Sequence, residues 1–338
     1  MTMLYQPLSH LSSNLRDWKI CVVLPTRDET VTLEAVVSEI RAAFRTHELR
    51  PPTILISDDS HDGTRALAHK LGVQVVIGGG QGLGFAMLKG LKAAVNFKPD
   101  VIVSLDADGQ SDPGEIMKVL EPIAKGEADM VVGSRFLEPG MIQYRYPLIN
   151  RFGTLVLSWI LRTITKLPLT DSHGGLRAMR AEVAMNIDII GTHTYVQESI
   201  IDAHEKGYRI KEVASLWRKR VHGQSKVVHS IVRYIMYTLP VLVIRSRNHI
   251  PWSYSLSFGL IFSGLMGFLI VMWQAQFKVT GIFVRLPALL CISMMVLAGI
   301  HLFTLGFLTE LNSLIKLRVD QLHQRLRERE GPGPSDLS

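Results

Sequence analysis

Two long stretches without a formally charged side chain limit what this chain can fold into. Asn248–Phe277 runs for 30 residues without Asp, Glu, Lys or Arg, with Tyr254–Trp273 as its apolar heart, and Leu286–Thr309 for 24 more. Each exceeds the roughly 20 residues that carry a helix across a hydrocarbon layer. Trp252, Tyr254 and Trp273 stand at the ends of the first stretch, as interfacial aromatics do. A chain of 338 residues has little protein left to bury two such helices. The reading is a transmembrane hairpin within 251–311, with helices at about 252–274 and 286–309.

The flanking charges orient the hairpin. Its loop carries only Lys278 and Arg285, whereas Arg245 and Arg247 precede it and Lys316, Arg318, Arg325, Arg327 and Arg329 follow. The positive-inside rule then puts both termini in the cytoplasm and makes this a multi-pass cell-membrane protein. Met1–Lys19 lacks the continuous apolar stretch of a signal peptide. Tyr234–Ile244 is apolar but short and broken by Pro240, with Lys226, Arg233, Arg245 and Arg247 around it. It predicts a helix lying in the membrane surface within 228–250. Gly259, Ser263 and Gly267, spaced by four, permit close helix packing and a homo-oligomer.

The net charge of +7 is not spread evenly. Residues 1–200 carry 20 Lys+Arg against 22 Asp+Glu, and residues 201–250 carry 10 against 3. A basic belt beside apolar helices fits an anionic leaflet. A nucleic-acid binder would instead place basic and aromatic residues together on the soluble face, and none is expected as a partner. Cys21 and Cys291 are too few and too far apart for a disulfide framework or a metal site, which fits a reducing compartment.

Residues 19–133 alternate short β-rich runs with helix-length stretches. Strands are expected at Ile20–Leu24, Thr53–Ile56, Val73–Ile77, Val101–Leu105 and Met130–Val132, with helices at Leu33–Thr46, Gly63–Leu71, Gly84–Phe97 and Pro113–Lys125. That repetition predicts an α/β domain, a mostly parallel sheet with helices on both faces, whose ligands bind at the carboxyl ends of the strands.

The expected strand ends are rich in carboxylates. The first gives Pro25-Thr26-Arg27-Asp28-Glu29, the second Ser57-Asp58-Asp59-Ser60-His61-Asp62-Gly63-Thr64 and the fourth Asp106-Ala107-Asp108-Gly109-Gln110. Converging carboxylates repel, which favours a cation or protonation. Asp106 and Asp108 with the Gln110 amide offer hard oxygen ligands for Mg²⁺ or Mn²⁺. The bland reading, acidic residues that only cap helices or close turns, weighs most for Ser60 and Asp62. An EF-hand fails because Ser111 and Met117 occupy the positions of its Gly and Glu. The run Gly78–Gly84 fits neither a dinucleotide fingerprint nor a Walker motif, and reads either as a backbone approach to a ligand or as a mobile turn at a helix start.

Together these segments resemble the GT-A-type family 2 glycosyltransferases, above all the polyprenyl-phosphate sugar transferases, the dolichol-phosphate mannosyltransferase and bactoprenol glucosyltransferase group. Val22–Glu29 resembles the opening strand motif and Asp58–Thr64 the D-x-S-x-D-G-T turn. Gly82, Gly84 and Gly90 fit the helix that follows, Asp106–Gln110 the metal motif and Val131–Phe136 the V-V-G-S-R segment. Asn150-Arg151, the loop Asp171–Arg177, Gly207–Ile210 and Arg220-x-x-Gly223-x-Ser225-Lys226 continue the likeness. Departures stand at Ser57, Asp59, Gly174, Arg27 and Asp28.

The resemblance implies a Rossmann-like GT-A catalytic domain at 19–227 after an extension at 1–18, with a polar tail at 312–338. It implies inverting transfer of one sugar from a nucleotide diphosphate sugar, GDP-mannose or a UDP-hexose, to a polyprenyl or dolichyl phosphate. Asp106 and Asp108 would be catalytic, holding the metal with Gln110, and Arg135 would act beside them. Pro25, Thr26, Arg27, Glu29, Asp58, Gly82 and Asp106 would line the nucleotide-sugar pocket. Arg135, Arg151, Arg220, Ser225 and Lys226 would hold the acceptor phosphate. Glu198 is placed either in the site or in an arginine pair, and His173, His193 and His222 in loops. The rivals are a processive polysaccharide synthase, for which only Leu216-Trp217-Arg218 approaches an acceptor motif, and a non-catalytic membrane scaffold.

Overall fold

Ile20–Thr26 forms a strand buried along its whole length, β1, in the interior of a seven-stranded sheet. The computed structural model describes residues 15–189, 195–220, 250–275 and 284–330. They belong to two units that divide after Arg245. In the first unit β1 is followed by α1 (Leu33–Thr46), β2 (Thr53–Asp58), α2 (Thr64–Lys70), β3 (Gln74–Ile77), α3 (Leu83–Val95) and β4 (Val101–Ser104). Then come α4 (Ile116–Ala124), β5 (Met130–Ser134), α5 (Leu148–Thr165), β6 (Arg177–Arg180), α6 (Ala181–Asn186), α7 (Val196–Glu205) and β7 (Ile210–Ala214).

The strand order is β3-β2-β1-β4-β6-β5-β7. All pairings are parallel except those of β6, which runs antiparallel between β4 and β5. The five expected strands and four expected helices are present, while β6 and β7 come from segments that the sequence marks only by motif. Alternation along the strands divides the core in two. Val22, Leu24, Val101 and Val103 pack with α1 and α4 on one face. Cys21, Val23 and Ile102 pack with α3, α5, α6 and α7 on the other.

Because β6 is reversed, its first residue lies toward the carboxyl ends of its neighbours: Arg177 pairs with Ser104, the last residue of β4, and with Val132 of β5. The loop entering β6 therefore crosses the carboxyl edge of the sheet. It does so at contact distance, since a Cβ built on Gly174 would lie 1.7 Å from the Gly133 carbonyl oxygen.

The second unit holds α8 (Ile250–Gln274) and α9 (Leu286–Glu330). Their stretches Ser253–Gln274 and Leu286–Thr309 are long and apolar enough to cross a membrane. α9 continues as helix to Glu330, well past its apolar part. The seam is built from small residues: Gly264 meets Val296, Gly299 meets Ile261, Gly306 meets Ser253, and Ser257 Oγ donates to the Gly299 carbonyl at 2.8 Å. In the spaced stripe of α8, Gly267 packs on Ile292, whereas nothing lies within 4 Å of a Cβ at Gly259. Phe262, Leu269 and Met294 face outward and are exposed. The interfacial helix expected at 234–244 lies outside the described residues.

Gly174→Ser, which restores the residue common at this place in the resembled motif, forces β5 and the crossing loop apart. We expect a loss of roughly 1–3 kcal/mol, read as a lowered thermal midpoint of the full-length protein in detergent.

Candidate active site

The carboxyl ends of β1, β2, β4, β5 and β7 and the start of β6 meet along one edge. At the β1–β2 end, the polar groups mostly satisfy one another. Asp58 is fully buried, with Oδ1 accepting from Thr26 Oγ1 (2.9 Å) and Ser60 Oγ (2.6 Å), and Oδ2 accepting from Arg65 Nε and a terminal nitrogen (3.1 and 3.0 Å). Both its oxygens are thus engaged inside the protein, in a network that ties the end of β2 to β1 and to Arg65 of α2.

The turn after β1 is fastened to the turn after β2. Asp28, at φ +54°, donates its N–H to Ser60 Oγ (2.7 Å) and accepts from the His61 N–H (2.8 Å). The Glu29 N–H donates to Thr64 Oγ1 (2.9 Å). Asp62 accepts from the hydroxyls of Thr30 and Thr64, both at 2.5 Å. Burial works against its ionisation, but these donors outweigh it and hold the carboxyl down at about 2. Pro25 and Thr26 are buried at the end of β1 and Arg27 is exposed beyond them. Gly82, at φ +106°, caps α3, a conformation open to glycine at little cost. Ser57, where the resembled motif has an acid, points under α3 and donates to the Ala86 carbonyl at 2.6 Å.

The second cluster lies at the end of β4. Asp108 is buried; its Oδ1 accepts the Gln110 N–H at 3.0 Å, and its Oδ2 forms an ion pair with Arg220. In one orientation the Gln110 amide accepts from Arg220 Nε at 3.3 Å. In the other it donates to Asp108 Oδ2 and accepts from Trp217 Nε1, both at 3.2 Å. Asp106 stands beside them. Burial, and next the Asp108 charge, push its carboxyl up to about 7 against the pull of Arg177, Arg220 and Arg135. Room for it exists because residue 175 is glycine: a Cβ there would lie 2.8 Å from both Asp106 Oδ2 and Ser111 Oγ. Ser111 Oγ is buried without a hydrogen-bond partner.

Among the described residues no three His, Cys, Asp or Glu side chains form a metal cage. Two carboxylates, an amide and an unsatisfied hydroxyl do fit a hard cation that takes its remaining ligands from phosphate oxygens and water. Arg220 supplies the positive charge on Asp108 here.

Arg135 is buried and committed to Asp171. Its Nε and a terminal nitrogen donate to the two carboxylate oxygens at 2.7 and 2.9 Å, and its backbone N–H adds a third bond at 3.0 Å. The guanidinium lies 5.1 Å from the Trp217 ring, 5.5 Å from Phe136 and 5.7 Å from Tyr146. Burial opposes ionisation of Asp171, yet Arg135 prevails and holds its carboxyl at about 2. The Thr170 and Asp171 N–H groups donate to Glu212 of β7, which closes the loop against the sheet. Arg135 therefore positions the 171–177 loop, a role its motif does not reveal; Tyr146 Oη lies 3.5 Å from its remaining terminal nitrogen.

Other expected residues are placed apart. Arg151 is exposed in the first turn of α5, outside the bonded clusters. Glu198 is fully buried in the first turn of α7. Burial, and next the Arg135 charge, push His173 down to about 4, so its ring is neutral at pH 7; its nitrogens lie 2.7 Å from Ser172 Oγ and 3.1 Å from Gln197 Nε2. Ser225, Lys226, His193 and His222 lie outside the described residues. Arg177 and Trp217 belong to the site without having been singled out as site residues from sequence. Arg177 is fully buried, donates to the Gly174 carbonyl (3.0 Å) and Ser199 Oγ (2.8 Å), and bears electrostatically on Asp106.

A largely parallel sheet with one reversed strand and a carboxylate motif after β4 defines a GT-A-type fold. Solved structures agree: glucosyl-3-phosphoglycerate synthase from Mycobacterium tuberculosis, crystallised with Mn²⁺, UDP and phosphoglyceric acid, superimposes with a TM-score of 0.50 at 20% identity, covering 67% of this chain and 78% of that one. The model of glycosyl transferase family 2 matches residues 21–188. An uncharacterised glycosyltransferase of Mycobacterium tuberculosis is 32% identical over 213 residues, 63% of this chain and 91% of the relative. Polyprenol monophosphomannose synthase of Mycolicibacterium smegmatis is 31% identical over 242 residues, 67% of this chain and 87% of the relative. The chain belongs to glycosyl transferase family 2, and it is a glycosyltransferase.

Asp171→Asn removes the counter-charge of a buried guanidinium and should cost on the order of 3–5 kcal/mol of stability at pH 7. The carboxyl of Asp171 ionises more readily in the fold than in the open chain, so its stabilisation is complete above about pH 4 and lost as pH falls through about 2. Melting curves between pH 5 and 2 should converge for wild type and Asp171→Asn, and parallel curves would refute the assignment.

Proposed function

We propose that this glycosyltransferase moves a single hexose, with inversion, from a nucleotide diphosphate sugar (GDP-mannose or a UDP-hexose) to a polyprenyl or dolichyl phosphate in the membrane. The observation that carries this reading is the meeting of Asp106 and Asp108 with Arg177 and Arg220 at one sheet edge, in a chain that also holds two bilayer-length apolar helices. The relative named polyprenol monophosphomannose synthase, matched over most of its length, supports the acceptor class. The neighbour crystallised with Mn²⁺ and UDP supports the donor class.

Asp106, Asp108 and Gln110 would hold Mg²⁺ or Mn²⁺, which when bound neutralises the donor diphosphate and eases its departure. Pro25, Thr26, Arg27, Glu29 and Gly82 form the nucleotide side of the pocket, braced by Asp58. The acceptor phosphate, with a second pKa near 6 by analogy with phosphoserine, is largely ionised at pH 7 and needs no strong base. Its charge must be matched by cations: Arg220 is the first of these, with Arg151, Ser225 and Lys226 as further contacts. Arg135 acts indirectly, by fixing the loop that carries Gly175 against Asp106. The catalytic unit and both termini lie in the cytoplasm, and the α8–α9 hairpin spans the membrane.

The test is transfer of label from a panel of UDP- and GDP-sugars into the lipid phase of membranes supplied with polyprenyl phosphate. Asp108→Asn should lose at least about 100-fold, by removing charge stabilisation from the leaving group. Full activity in that variant, or label entering only water-soluble products, would overturn the reading.

A further inference from the structure

α5 is amphipathic in a way that the fold itself does not use. Leu157 and Leu161 are buried against the sheet, as expected for one face of a surface helix. The opposite face is also apolar and stands open. Leu148 is 81% exposed, Phe152 70% and Trp159 60%, with Leu155 and Val156 beside them. At 100° per residue these five side chains fall within one arc of about 100°. A water-soluble surface does not keep a Trp, a Phe and three aliphatic residues contiguous without a partner.

The charge around this face identifies the partner. Between Glu138 and Asp171 there is no Asp or Glu, while Arg145, Arg151, Arg162 and Lys166 are all present and exposed. An apolar strip bordered only by cations, with Trp among its members, has the composition of a helix lying in an anionic membrane surface. A protein partner would leave these cations without a reason to exclude every acid, whereas lipid phosphates supply the opposite charge along the whole strip. The same chain carries two helices long and apolar enough to cross a bilayer, so such a surface is at hand.

We propose that α5 docks the catalytic unit onto an anionic lipid surface. Leu148, Phe152, Leu155, Val156 and Trp159 enter the boundary between headgroups and acyl chains, and Arg145, Arg162 and Lys166 meet lipid phosphates. This contact is additional to the α8–α9 hairpin and does not depend on which sugar or acceptor the enzyme uses.

The test uses the full-length protein in lipid nanodiscs, on a Cys291→Ser background, since Cys21 is buried and Cys291 exposed. Spin labels are placed through Phe152→Cys and Trp159→Cys, and through Glu34→Cys on α1, which packs on the opposite sheet face. In nanodiscs containing phosphatidylglycerol, the labels at 152 and 159 should be reached by oxygen in preference to a water-soluble nickel chelate. The label at 34 should show the reverse. Nickel accessibility at 152 and 159 equal to that at 34 would overturn the proposal. So would exclusion of both reagents, which would mean that the face is covered by residues 221–249 or by a second copy. In phosphatidylcholine alone the lipid signature should weaken, and Arg162→Gln with Lys166→Gln should remove that dependence on lipid charge. A signature unaffected by lipid charge would refute the anionic partner. Because accessibility is measured without substrate, failure of the proposed transfer reaction would leave this result standing.

Discussion

Two carboxylates one residue apart, at the buried end of a central strand, cannot both ionise unless positive charge is brought to them. Much of the first unit can be understood as meeting that demand. β6 runs backwards so that Arg177 arrives at the carboxyl edge, and β7 ends there so that Arg220 can close on Asp108. The segment bearing Arg220 is stitched down on the way: the Trp217 N–H donates to the Met141 carbonyl at 2.7 Å and the Arg218 N–H to the Gln110 carbonyl at 2.8 Å. Arg218 itself pairs with Glu39 and Asp112, both at 2.6 Å. The edge is thus a balanced set of charges whose members come from four separate stretches of chain.

The same logic explains what the sequence could and could not disclose. The β1–α4 half is legible because each unit is contiguous: a β-branched run, a turn motif, then an amphipathic helix. Asp106, Asp108 and Gln110 announce themselves by spacing. Arg135 does not, because its partner Asp171 is 36 residues away and the pairing depends on a reversed strand that no local pattern encodes. Arg220 and Asp108 are 112 residues apart, so their ion pair has no signature either. The internal partners of Asp58, Thr26 and Arg65 on neighbouring elements, are likewise visible only in the fold. α5 was hidden for another reason: apolar residues on both faces of a helix read as core, and periodicity alone cannot say which face the protein covers.

The second unit follows a different rule. In the membrane proposed for them the surroundings are as apolar as the side chains, so helices gain little from hiding Leu and Phe and associate through close backbone approach. Glycines at 264, 299 and 306 and the Ser257 hydroxyl supply that approach. Tyr254 and Phe258 pack on Phe303 across the seam at centroid distances of 5.2 and 5.8 Å. Apart from this aromatic contact, large residues such as Phe262, Leu269 and Met294 are left outside, in inverse order to the first unit, whose sheet buries them.

The crossing of Gly174 over Gly133 has a mechanical meaning. Side-chain packing can relax by rotating a bond, but two backbones in contact have no rotamers to exchange. Gly133 lies two residues before Arg135 and Gly174 three residues after Asp171. The spacing across the Arg135–Asp171 pair therefore has a lower limit set by backbone contact rather than by an adjustable filler. Loosening of the surrounding apolar packing can let strand and loop part, but it cannot bring them closer than the backbone contact allows.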